Sequence, residues 1–196
     1  FRDDFSGSLF PIADDVKIQV EFNPDRVAEY RLIGYETRLL NREDFNNDQV
    51  DAGEVGSGAS VTALYEITPV GGPLSADPLR YQKVSTGAPN AAGGELAFVK
   101  VRYKLPGEGT SHLIERPVTE TDRPAALAEA PESTRFALAV AAYGQKLRGD
   151  PWLGADFGWD EIVALAKGAK GEDEFGLRAE FVKLTRNAAS AKSVNE

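Results

Sequence analysis

The densest run of side chains able to bind or react is Glu43-Asp44-Phe45-Asn46-Asn47-Asp48-Gln49-Val50-Asp51-Ala52-Gly53-Glu54, which holds five carboxylates and no basic residue. Carboxylates this close repel one another unless water or a cation screens them, so the run is either a solvated acidic loop or a divalent-cation site. Asp44, Asn46 and Asp48 stand at alternate positions, the spacing by which a calcium loop turns successive oxygen ligands toward one ion. The remainder of that pattern is missing, because Gln49 replaces the required glycine and Val55 the bidentate acid that would close the shell. The residues favour a solvated loop joining two strands. In the alternative, Asp44, Asn46, Asp48, Asp51 and Glu54 are the ligands of calcium or magnesium.

Other chemistry is thinner. His112 is the single histidine, so a metal cage or a catalytic triad would rest on it alone, and a partly exposed strand residue is the expected role. The chain has no cysteine, which excludes disulfides, thiol nucleophiles and Cys/His zinc sites. Gly53, Gly56 and Gly58 imitate a phosphate-binding loop in glycine count only, since no lysine follows and a strand rather than a helix comes next. Arg148-Gly149-Asp150 matches an integrin-binding tripeptide in letters, but it falls where a helix ends and Gly149 has a stop role. A hydrolase built on Glu66 and Glu95 would need the two acids roughly 5–10 Å apart across a cleft, and nothing in the sequence brings them together. Tyr30, Tyr35, Trp152, Phe157 and Trp159 read as core rather than as a binding face. No catalytic residue is assigned, and no enzyme is expected.

Length and charge bound the rest. The 196 residues, 42% apolar, suffice for one domain or two small ones. A net charge of -9 gives no general field to attract phosphate backbones, so nucleic acid is not an expected partner. The chain opens at Phe1 and contains no methionine, which reads as an excised fragment. No apolar run approaches the ~20 residues of a membrane helix, so no transmembrane segment is expected here.

The elements that must position these groups divide into two kinds. Val16, Ile18, Val20 and Phe22 alternate with Lys17, Gln19 and Glu21, the two-residue period of a half-buried strand. The same alternation predicts strands over 61–67 and 97–105, with further strands over 30–35 and 112–118, all in one antiparallel sheet system. The polar stretch 71–94 is expected as a surface loop or exposed hairpin extension. After Thr119 the apolar spacing becomes helical: Phe136, Val140, Tyr143 and Leu147 share one face of a helix capped by Ser133 or Thr134. A second helix is predicted over 159–167 and a third over 173–188, with Glu172, Asp173 and Glu174 at the positive end of the latter. The order, strands and then helices, predicts an α+β protein: an antiparallel β-sandwich-like sheet region followed by a small C-terminal helical subdomain. The expected domains are a β-rich region over 14–120, a linker over 121–131, and a helical region over 132–196 packing on the sheet.

Several words in order carry a family resemblance: Asp15-Val16-Lys17-Ile18-Gln19-Val20-Glu21-Phe22-Asn23-Pro24, Tyr30-Arg31-Leu32-Ile33-Gly34-Tyr35-Glu36, Asp51-Ala52-Gly53-Glu54 and Leu96-Ala97-Phe98-Val99-Lys100-Val101-Arg102-Tyr103-Lys104. With the helical words Gly171-Glu172-Asp173 and Arg178-Ala179-Glu180-Phe181-Val182, the chain resembles the C-terminal domain of bacterial YfbK-like proteins. The resemblance implies a von Willebrand factor type A domain immediately upstream, with residues 1–13 as its end or the lead out of it. It also implies a cell-envelope protein, on the periplasmic side or as a lipoprotein, whose external partner is an unidentified envelope protein. The expected function is therefore a non-catalytic interaction or scaffold domain accompanying a type A domain, with a calcium-binding structural module through residues 43–54 as the alternative.

Overall fold

Among the described residues the chain forms six strands: β1 (Pro11–Phe22), β2 (Val27–Ile33), β3 (Gly53–Gly56), β4 (Leu64–Pro69), β5 (Glu95–Lys104) and β6 (Ser111–Thr119). Three helices follow: α1 (Glu132–Arg148), α2 (Trp159–Gly168) and α3 (Leu177–Ser193). These elements come from a computed structural model that describes residues 10–34, 41–48, 50, 52–75, 94–154 and 157–193. The chain forms two units, Phe1–Arg123 and Pro124–Glu196. The α+β class expected from the strand-then-helix order is the one observed. Short 3-10 turns at Glu120–Asp122 and Leu127–Glu129 occupy the stretch where the units meet in sequence. Of the expected loop over 71–94, residues 76–93 lie outside the described residues, as do residues 1–9 of the expected lead segment. Pro11, Ile12 and Ala13 belong to β1.

The strands form two sheets rather than one. The larger has the order β3-β1-β5-β6 and is antiparallel throughout, and β2 pairs with β4 in a separate antiparallel ribbon. Because side chains alternate across a strand, the register fixes two chemically opposite faces. Ile18 sits opposite Val101, Val20 opposite Val99, and Val101 opposite Ile114, making one face apolar. Lys17 sits opposite Arg102 and Lys100 opposite Glu115, making the other face charged. Pro117 has no N–H and lies opposite Phe98, a position tolerated because β6 is an edge strand whose outward groups need no ladder partner. The ribbon repeats the division: Tyr30 faces Ile67 on one side, and Arg31 pairs with Glu66 on the other.

A tight turn ties β1 to β2. The Asn23 side chain accepts the Asp25 N–H, its carbonyl accepts the Arg26 and Val27 N–H groups, and its Nδ2 donates to the Glu95 carbonyl. The Phe22 ring at the end of β1 then lies 4.5 Å from Tyr30 and 5.2 Å from Tyr65. Strand β3 was not expected, because Gly-Glu-Val-Gly is too short to show an alternation.

In the helical unit, Ala139, Ala166 and Val182, one from each helix, form the buried centre, with Leu165 and Phe181 packed against it. Edge-to-face rings surround it: Phe181 lies 5.4 Å from both Phe136 and Tyr143, and Tyr143 lies 5.8 Å from Trp159. Helix α1 starts behind Pro131 without the expected side-chain cap from Ser133 or Thr134, and it stops at Gly149, whose φ of 68° closes the last turn. Helix α3 starts later than its acidic run predicts. The Asp173 carboxylate sits four residues ahead of Leu177 and accepts the Arg178 and Ala179 N–H groups. Partial burial pushes its carboxyl up, but those two donors together with the Lys170 and Arg178 charges leave the carboxyl below its usual range. No described helix is long and apolar enough to cross a membrane.

Ile162 of α2 is fully buried. Ile162→Ala is expected to destabilise the helical unit by about 2–5 kcal/mol, through lost apolar contact and the cavity left behind, measured as a lower denaturant midpoint at unchanged slope.

Candidate functional site

The acidic run folds onto the charged face of the larger sheet. A 3-10 turn over Arg42–Asn46 drives Phe45 inward to 4% exposure, which pins the loop by an apolar anchor. Around that anchor the sheet supplies the bases that the run itself lacks. Lys17, 3% exposed on β1, donates its ammonium to the Asn47 carbonyl. Arg102 on β5 donates to both Asp48 carboxylate oxygens at 3.1 and 3.3 Å, and the Ser111 hydroxyl on β6 donates to Oδ1 at 2.6 Å. Lys104 reaches the Asp48 carbonyl at 3.2 Å and the Asp15 carboxylate at 2.5 Å.

Asp15 closes the network from β1. The strand slips register on either side of it, and the residue adopts a φ of 56°, a left-handed conformation that aspartate tolerates better than most residues. That bulge aims its carboxylate at two donors: Lys104 at Oδ2 and the Ala52 N–H at Oδ1, 3.0 Å away. The hydrogen bond from Lys104 is the main reason the Asp15 carboxyl lies below its usual range, with burial opposing it. The Ser111 hydroxyl and then Arg102 lower Asp48 in the same sense, while Asp15 raises the Lys104 ammonium.

The described residues proposed from sequence as cation ligands have the following surroundings. Asp48 is bonded to Arg102 and Ser111, Asp44 accepts from Asn41 Nδ2 at 3.0 Å, Asn46 is exposed at the end of the turn, and Glu54 is exposed on β3. Asp51 lies outside the described residues. Among the described residues, no three carboxylate or histidine side chains gather as a metal site. Sequence reasoning missed Asp15, Lys17, Arg102, Lys104 and Ser111. The available signal was the alternate Lys100, Arg102 and Lys104, a basic face complementary to an acidic run elsewhere in the chain.

The remaining candidates have local structural partners. His112 is exposed, 3.0 Å from the Glu108 carboxylate and stacked 5.4 Å from Tyr103. Asp150 of the Arg-Gly-Asp triplet accepts the Trp152 N–H and the Gln145 side chain at the end of α1. Glu66 is paired with Arg31. Of the aromatics, Trp159 packs on Tyr143, Tyr30 and Trp152 are 62% and 47% exposed, and Tyr35 lies outside the described residues.

Residues 7–191 match a protein-family model described as the C-terminal part of the uncharacterized protein YfbK. The uncharacterized protein YfbK of Escherichia coli strain K12 is 46% identical over 189 residues, which cover 96% of this chain and 32% of that protein. The chain therefore spans about a third of the length of the curated relative it matches. No solved structure matches it.

The Asp15–Lys104 pair carries a pH dependence of definite sign. Its stabilisation is present above the ordinary carboxyl value of 3.8 and is lost as pH falls below it toward the lowered native value. Asp15→Asn is expected to lower the melting temperature at neutral pH and to flatten the decline below pH 3.8, checked by thermal melts followed across acidic pH. Asp48→Asn and Arg102→Gln should each destabilise the same transition, with a double variant less affected than the sum, as a double-mutant cycle in thermal melts will read.

Proposed function

The chain belongs to the YfbK C-terminal family, and we propose that it is a non-catalytic interaction domain that supports a von Willebrand factor type A domain in the same longer polypeptide. The observation that carries this reading is the engagement of Asp15, Asp48, Arg102 and Lys104 with one another and with the backbone, a latch that holds loop to sheet. Groups tied into such a network support shape rather than turnover, since a general base or nucleophile needs a partner aimed at a substrate. His112, the residue best suited by type to proton transfer, instead pairs with Glu108 on the surface. The relative's length gives room for a companion domain, because two-thirds of it lies beyond the shared stretch. Location in the bacterial envelope, on the periplasmic side or as a lipoprotein, and an envelope protein as the external partner, belong to this proposal through the family resemblance. The cation-binding alternative has no comparable support among the described residues, where Asp48 already accepts from Arg102 and Ser111.

The test uses the whole-length E. coli relative and a form lacking the stretch shared with this chain, each as bait in bacterial extract, with calcium plus magnesium or with chelator. The expected result is a protein captured by the intact form alone, or a lower melting temperature for the part that remains. Identical captures together with an identical melt of the remainder would overturn the reading.

A further inference from the structure

Within the β unit, Phe22 at one end of the apolar face of the larger sheet packs on Tyr30 and Tyr65 and Ala97 is buried, while the face beyond them is open. Ile18 and Ile114 are 48% and 53% exposed although they flank Val101 on neighbouring strands. Between β5 and β6 the face sinks into an open groove of about 360 Å³ lined by Val99, Val101, Ile114 and Val118. Arg116 and Asp122 form its rim and are bonded to each other at 2.8 Å. The Asp122 carboxyl is held below its usual range by the Thr119 N–H and by Arg116, so the rim charges already have partners. A neutral rim around an aliphatic floor suits an apolar protein surface and offers nothing to an anion, a cation or a sugar.

The size of the face decides what kind of protein surface. Three strands about 4.8 Å apart, each contributing about seven residues at roughly 3.3 Å, present on the order of 350 Å². A stable complex between free proteins buries about 800 Å² on each partner, so this patch is too small to hold a second copy or a freely diffusing protein. It is adequate for a neighbour tethered in the same polypeptide, where the linkage supplies a high effective concentration and interfaces are smaller. Two-thirds of the E. coli relative's length lies beyond the shared stretch, enough chain for such a neighbour. We infer that the apolar face of β1, β5 and β6 is the docking surface for the neighbouring domain of the longer polypeptide, seated over Val101 and Ile114. The inference rests on the accessory role proposed above and names the surface through which that role is exercised.

The absence of cysteine from this chain allows a direct test. Ile114→Cys reports on the groove, and Glu108→Cys on the exposed β5–β6 turn serves as control. Both are made in the 196-residue chain and, at the aligned positions, in the whole-length E. coli relative with any native cysteine replaced by serine. Maleimide labelling at the groove position should be as fast as the control in the 196-residue chain and slower by roughly tenfold or more in the whole-length protein, with the control unchanged. Equal rates in both proteins would overturn the inference. So would protection in the 196-residue chain alone; if it grew with protein concentration, a second copy would be the occupant. The extract and melting experiment fails independently: a remainder that depends on the shared stretch while the groove stays open keeps the accessory role and discards this surface.

Discussion

The β unit is organised by the bonding of Asp48 from the acidic loop, and of Asp15 from β1, to one basic strand face. Five carboxylates within twelve residues cannot pack without opposite charge, and a strand carrying lysine and arginine at every second position cannot bury that face without acids. The fold holds the loop against β1 and β5, with Asp48 bonded to Arg102, Phe45 as the apolar pin and Asp15 as the pivot. Several of these pairs are partly open to solvent, so each contributes little alone, and the network matters through the geometry it imposes. It joins β1, β5 and β6 to the loop ahead of β3, which no local interaction in the sequence could do.

That arrangement also orders the two sides of the sheet. The loop meets the charged side and the aliphatic side lies opposite it, a division that follows from the two-residue period of the strands. Ile18 and Ile114 stay exposed on that aliphatic side. The helical unit has a different character: Ala139 and Ala166 of two helices pack with Val182 of the third, and edge-to-face aromatic rings lie beside them.

Much of the fold was legible. The long alternations at 16–22 and 97–105 announced their strands because burial of one face imposes the period directly. The α1 stop at Gly149 was legible for an equally local reason, a left-handed residue that glycine adopts without cost. Strand β3 was not, because four residues carry no period, and the start of α3 was misplaced because Asp173 caps from ahead of the helix rather than within its first turn. The separation of β2 and β4 into their own ribbon was equally hidden, since alternation says which residues face inward but not which strand is the neighbour.

The candidate site shows the same limit more sharply. The sequence by itself determined the class α+β, the order of elements, the chemistry excluded by the lack of cysteine and a second histidine, and the presence of an acidic run that must be solvated or paired. Only the tertiary structure decided where the pairing charge comes from. Lys17, Arg102 and Lys104 lie 31, 54 and 56 positions from Asp48, and their distance in sequence is cancelled by strand register, a property of the assembled sheet. Local sequence sets periods and turns because those obey short-range sterics. Which charges meet is set by long-range pairing, and no window along the chain contains it.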